Sequence, residues 1–240
     1  VSHFVYFLRK LLVTLSQNPM INSLSDASLA KPPIATIGIV VIWLFHVSAL
    51  IGIILGFFDW FVQKTPLNLG LMFLMLVIIF PIRSKKSITV TVFFFLIGLL
   101  AEWLGVNLGW LFGSYSYGAN LGLKLAGVPL LIGINWAMLA LITAAISNHL
   151  TKTIWIRILY GALMMVFLDL LMEYSAPKLD FWTFEGGIAP LSNYLGWFIV
   201  SIILQFIYQI SRIQGHFGFS LHLFVAQCVF FGFLNIYFGL

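Results

Sequence analysis

IWIRILYGALMMVFLDLLMEY (residues 154–174) is apolar almost throughout, yet it carries Asp169 and Glu173 towards one end. Its length is that of an α-helix crossing the hydrocarbon core of a bilayer, which takes ~20 residues. A charged side chain at mid-helix costs at least ~2.5–3.5 kcal/mol in lipid, so acids in such a stretch need a partner or a task. The two are four residues apart and share one helix face. A third acid, Glu102, sits in another long apolar run, in a chain with only seven acidic residues in all.

The rest of the chain repeats the pattern of residues 154–174. Hydrophobic residues make up 62% of the sequence and charged ones 8%. Apolar runs predict seven spans, at 34–58, 67–82, 88–106, 128–147, 154–174, 194–211 and 217–238. The expected fold is all-α, a polytopic transmembrane bundle, with residues 34–240 as a single domain. No polar stretch is long enough for a separate soluble domain. Residues 1–33 read as an interfacial helix and polar tail: HFVYFLRKLLVTL (3–15) is too short to span and is followed by a polar run. No small-residue cleavage site follows it, which disfavours a signal peptide.

Arg9, Lys10, Lys31, Arg83, Lys85, Lys86, Lys152, Arg157 and Arg212 fall on one side of this topology, and Lys64, Lys124 and Lys178 on the other. The positive-inside rule then puts the N-terminus in the cytoplasm. The net charge of +5 is dispersed at helix ends rather than gathered into a stripe, so nucleic acid is not an expected partner. One cysteine, Cys228, excludes an internal disulfide framework and a Cys-based metal cluster. No histidine spacing suggests a metal site, so none is expected.

The third and fifth spans run in the same direction. Glu102 is about fourteen residues into one and Asp169 about fifteen into the other, roughly 21–23 Å along each helix. The three acids therefore share a level, as a cluster facing the bundle interior; the alternative is that they cap helix ends or pair with Lys178 and Lys124. The deeper polar residues His46, Asn135, Gln205, Gln209 and Gln227 are the kind that join helices by hydrogen bonds. His46 could instead position a proton or a water near the acids.

Two loops on the side of the acids, residues 105–129 and 173–197, are rich in Gly, aromatics and polar residues, among them Asn107, Asn120, Asp180, Glu185 and Asn193. Irregular polar backbone at membrane depth is tolerated where it is buried in protein or lines a cavity. The two loops thus read as a re-entrant lid or wall over the carboxylates.

AEWLGVNLGWLFGSYSYGANLG (101–122), GVPLLIGINW (127–136) and FLDLLMEYSAPKLDFWTFEGGIAPLSNYLGW (167–197) resemble the integral-membrane carotenoid hydratases. That family includes the bacterial carotenoid 1,2-hydratases and the archaeal bisanhydrobacterioruberin hydratases. The resemblance implies an enzyme of carotenoid biosynthesis in the bacterial cytoplasmic membrane. It would add water across the terminal 1,2 double bond of an acyclic carotenoid end group to give a tertiary hydroxyl. It further implies a lipophilic carotenoid substrate, membrane lipid as surroundings, other enzymes of the pathway as candidate partners, and no cofactor.

That chemistry suits the residues. Hydrating a trisubstituted alkene needs an acid that keeps its proton near neutral pH, the state apolar burial favours for a carboxyl. A second, ionised carboxylate would stabilise the cation and orient water. Asp169 or Glu102 is the expected acid, with Glu173 as its partner. Asn107, Asn135 and Asn193, with His46, Asp180 and Glu185, are candidates for positioning water or substrate. Trp103, Tyr115, Tyr117 and Trp182 offer aromatic faces to the cation. A membrane carotenoid cyclase begins with the same protonation and is the alternative enzyme. A proton-coupled transporter is the alternative from another class, although no internal repeat supports it.

Overall fold

The computed structural model describes residues 33–80 and 82–239. The interfacial helix and polar tail expected over residues 1–33 lie, but for Pro33, outside them. Seven helices among the described residues are long and apolar enough to cross a membrane: Ile34–Ile54, Phe58–Ile79, Lys85–Leu108, Leu130–Leu150, Ile154–Glu173, Leu191–Ser211 and Phe217–Tyr237, called here the first to seventh spans. The protein is an all-α polytopic bundle and an integral membrane protein. The second span begins earlier than expected because Pro66 does not stop it. The span is built from two helices, Phe58–Val62 and Thr65–Ile79, and Pro66 occupies the first turn of the latter, where its missing N–H leaves no bond unmade.

The fourth span is the axis of the bundle. Every residue from Asn135 to Ser147 is buried, and the third, fifth, sixth, seventh and second spans all pack on it. Its alanines and Gly133 let neighbouring backbones come close, the usual device where lipid supplies no hydrophobic drive between helices. Polar ties add to this: Gln205 of the sixth span donates to the Thr143 hydroxyl at 2.8 Å, and Gln209 donates to Asn148 at 2.8 Å. The outward faces carry exposed apolar residues such as Leu44, Phe93, Leu163 and Ile199, a belt suited to lipid.

The loops at 109–129 and 174–190 lie at one end of the bundle. Arg83, Lys85, Lys86, Lys152, Arg157 and Arg212 gather at the other. The third span ends where Gly109 takes a left-handed conformation, φ 68°. Beyond it the chain forms four short strands, β1 (Tyr115–Tyr117), β2 (Lys124–Leu125), β3 (Val128–Pro129) and β4 (Trp182–Phe184). β2 and β3 form a local hairpin, whereas β1 pairs antiparallel with β4, with Tyr115 opposite Phe184 and Tyr117 opposite Trp182. The two loops are thus stitched into one lid.

Candidate functional site

Side chains alternate along a strand, and the sequences YSY and WTF place an aromatic at each inward position of the lid. Tyr115, Tyr117, Trp182 and Phe184 are buried, while Ser116 and Thr183 face out. The lid therefore lowers four aromatic rings onto the acids. Glu102, Asp169 and Glu173 line one small cavity beneath it, together with Asn193 and Trp197. The free space at its centre is about 10 Å³, on the scale of a single water molecule.

Glu102 accepts three hydrogen bonds: Oε1 from Trp136 Nε1 at 2.7 Å, and Oε2 from the hydroxyls of Tyr115 at 2.5 Å and Tyr117 at 2.6 Å. Burial first, and then the Glu102 charge, push both phenols well above the ordinary tyrosine pKa, so they stay protonated and donate. Glu173 accepts from Trp182 Nε1 at 3.1 Å and from Asn193 Nδ2 at 2.8 Å. The same Asn193 nitrogen donates to Asp169 Oδ2 at 2.9 Å, so one amide bridges the two acids. Asp169 is fully buried; its Oδ1 accepts from no donor among the described residues, and its carboxyl lies within hydrogen-bonding reach of that of Glu173.

The alternative roles for these acids are not seen. The ammonium of Lys124 donates to the Tyr117 carbonyl at 2.6 Å, and that of Lys178 lies over the rings of Tyr174 and Phe238. Neither reaches a carboxyl of the cluster.

Packing fixes the indole of Trp136 from both sides. It stacks on Trp197 with centroids 3.9 Å apart. On the other side, a Cβ at Gly98 would lie 2.5 Å from the Trp136 Cβ, so only glycine lets the third span approach. Gly105 does the same for the lid, because a Cβ there would fall 2.7 Å from the Tyr115 hydroxyl. Gly105→Ala is accordingly expected to destabilise the protein by about 1–3 kcal/mol, the usual result of overpacking. Unfolding in detergent would measure this, and a loss of lid tryptophan fluorescence should accompany it.

A second cavity, of about 350 Å³, adjoins the first, and Ile132 and Trp182 line both. Its walls come from the first, second, fourth, fifth and seventh spans and from the lid loops, and are largely apolar, with Phe45, Phe61, Phe230 and Phe231 prominent. Consecutive residues divide between the two chambers. Asn135 faces the large one while Trp136 binds Glu102, and Met172 faces it while Glu173 faces the small one.

Of the expected site residues, the structure brings together Glu102, Asp169, Glu173, Tyr115, Tyr117, Trp182 and Asn193. His46 and Asn135 line the large cavity instead. The remaining four lie outside both. Trp103 is 39% exposed on the outer face of its helix. Asn107 ties the Trp103 and Ala126 carbonyls. Asp180 accepts from the backbone N–H groups of Ala119 and Asn120, fastening the two lid loops together. Glu185 is exposed, and its backbone N–H bonds Ser114. Trp136 and Trp197 were not singled out from the sequence. An indole well inside a span needs an acceptor for its N–H, and that requirement is the signal that points to Trp136.

Bisanhydrobacterioruberin hydratase of Haloarcula japonica is 28% identical over 152 residues, which cover 59% of this chain and 48% of that protein. The chain thus spans about half the length of the relative it matches. No solved structure matches it. The family described as carotenoid biosynthesis protein matches residues 64–240, well over half the sequence and the whole of the lid and carboxylate site. The chain belongs to that family of carotenoid biosynthesis proteins.

Proposed function

We propose that the protein adds water across the terminal 1,2 double bond of an acyclic carotenoid end group, giving a tertiary alcohol. One observation carries the reading: a water-sized cavity walled by three carboxyls opens beside an apolar chamber that shares its Ile132 and Trp182 walls. Such a chamber is of the size that holds a small-molecule ligand, ~300–1,000 Å³. The polyene end would lie in it with its double bond against the acids.

Hydrogen-bond complementarity supports one allocation of roles. Glu102 meets donors only, the surroundings of an ionised carboxylate. Asp169 has one oxygen without a donor, so a carboxylic O–H fits there without displacing any bond. Asp169 protonates the less substituted carbon and leaves a tertiary cation on its neighbour. The Glu102 carboxylate and the faces of Tyr117 and Trp182 stabilise that cation. Water then forms the new C–O bond, and Glu173 takes the released proton. Passage of this proton to Asp169 restores the starting state. No cofactor enters the scheme. Asn193 keeps the two acids in register.

The positive-inside rule would set the basic end of the bundle in the cytoplasm and the lid on the opposite side of the bacterial cytoplasmic membrane. Other enzymes of the pathway would share the same lipid-borne substrate.

Pigment analysis of a lycopene-accumulating bacterial host tests the reading. The expected product is heavier than its precursor by one water and disappears with Asp169→Asn. A new product of unchanged mass would mean that an internal alkene, not water, captures the cation, as in a cyclase. Unaltered pigment in a host with well-expressed protein would reject both.

A further inference from the structure

A conjugated polyene is a stiff rod, and the large chamber is short. Its free volume of about 350 Å³ lies at the low end of the range that encloses a small-molecule ligand, ~300–1,000 Å³. Only the reacting end of a carotenoid fits inside, and a stiff chain cannot coil up beside it. The chamber therefore needs an opening through which the rest of the polyene runs out into lipid, in line with the end held against the acids.

The walls show where that opening is. On the fourth, fifth and seventh spans the lining is closed, with Ile132, Asn135, Met172, Gln227 and Phe231 all buried. On the first and second spans it is not. Ser48, Trp60, Lys64 and Leu67 line the same chamber and are exposed, Trp60 by 56% and Leu67 by 63%. Side chains that face both a cavity and the surroundings mark its mouth.

The first and second spans touch on either side of this mouth. Towards the basic end of the bundle, a Cβ at Gly38 would lie 2.5 Å from Ile79 Cδ1. Towards the lid, a Cβ at Gly52 would run into the Phe61 ring. Between these contacts Ser48 and Ala49 of the first span and Leu67 of the second border the chamber. The outer lip is pinned to the lid, because Asn120 Nδ2 donates to the carbonyls of Val62 and Leu179, each at 3.0 Å. Two further grooves run along the outer surface, one lined by Tyr160, Leu163 and Phe224 and the other by Trp155, Ile203 and Phe206. Among the described residues neither shares a wall with the chamber.

We infer that the gap at Ser48, Ala49 and Leu67 is a lateral portal for a linear polyene hydrocarbon. The chain enters end first, from the half of the bilayer on the lid side, and stays threaded between the first and second spans while its end reacts. The portal takes its ligand from the hydration reading above.

The test uses the full chain with lycopene as the probe and has two readouts. One is the rate of hydration in lipid nanodiscs; the other is the carotenoid that stays with the protein when it is purified in detergent from a lycopene-accumulating host. Tryptophan is placed in the mouth by Ser48→Trp and Leu67→Trp, and in the other two grooves by Leu163→Trp and Ile203→Trp. All four positions are exposed, so the fold should survive, which melting curves check. Where tryptophan lowers the melting temperature, phenylalanine at the same position repeats the measurement. Each mouth variant is expected to lower kcat/KM by about tenfold or more with kcat little changed, since restricted access slows association, and to retain less pigment. The groove variants should match the wild type. Wild-type kinetics and pigment in both mouth variants would overturn the portal, as would a larger loss in a groove variant or a fall in kcat alone with pigment unchanged. Pigment lost only from the mouth variants of a protein that hydrates nothing would overturn the hydration reading and leave the portal standing. Neither hydration nor retained pigment in the wild type would overturn both.

Discussion

Asp169→Asn is expected to lower hydration by about 10²–10⁴-fold, the range attributed to a positioned general acid, in a protein that still folds. The amide is nearly the same size as the carboxyl, and its oxygen can still accept from Asn193 at the 2.9 Å position. Only the transferable proton is lost. Product formation followed by mass detection, together with a melting curve in detergent, separates the two effects. Activity above a tenth of wild type with an unchanged melting temperature would remove Asp169 from the acid's role. Glu102, the other candidate read from the sequence, already meets three donors, so a carboxylic O–H there would face another donor rather than the substrate.

Glu102 should separate charge from structure in a different way. In Glu102→Gln the amide oxygen can keep the Trp136 indole, and the Tyr115 and Tyr117 hydroxyls can turn to accept from its NH₂, since hydroxyl hydrogens rotate. The lid should stay closed. The cation would lose its nearest negative charge, and a fall of about 10²–10³-fold is expected, comparable to the loss of one preorganised electrostatic contact. Glu102→Leu is predicted to do more. It leaves the indole and two phenols as buried donors without an acceptor, each costing about 1–3 kcal/mol. Tryptophan fluorescence and limited proteolysis of the loop around residues 109–129 would report an open lid in the leucine variant and a closed one in the glutamine variant. Equal behaviour of the two would mean that Glu102 acts through structure alone.

The spans and the acid cluster were legible because both rest on local rules. Apolar runs of bilayer length can hardly be anything but helices, and the depth of an acid in its span is simple counting. The lid, too, was visible in the density of glycine, aromatics and amides at residues 105–129 and 173–197. What could not be read was the pairing of Tyr115–Tyr117 with Trp182–Phe184, because the register of two distant three-residue strands leaves no periodic trace. That pairing decides which polar residues enter the site. Asn107, Asp180 and Glu185 looked like Asn193 in composition, but the first two satisfy loop backbone and the third faces outwards. That His46 lines the large chamber rather than the small one could not be read either. The first span is apolar on every side, so nothing in it says which face looks inward.

The β1–β4 pair also bears on how the protein is made. Its strands are separated in the chain by the whole of the fourth and fifth spans, so a ribosome that has delivered β1 must thread two more helices before β4 exists. Until then Glu102 has reached the bilayer without its cover of Tyr115, Tyr117 and Trp182. The third span must therefore enter the translocon with a hydrated acid, at an insertion penalty its apolar neighbours have to outweigh. Drying of the site is a late event of biogenesis, and a nascent chain released before β4 would leave an open, wet carboxylate in the membrane.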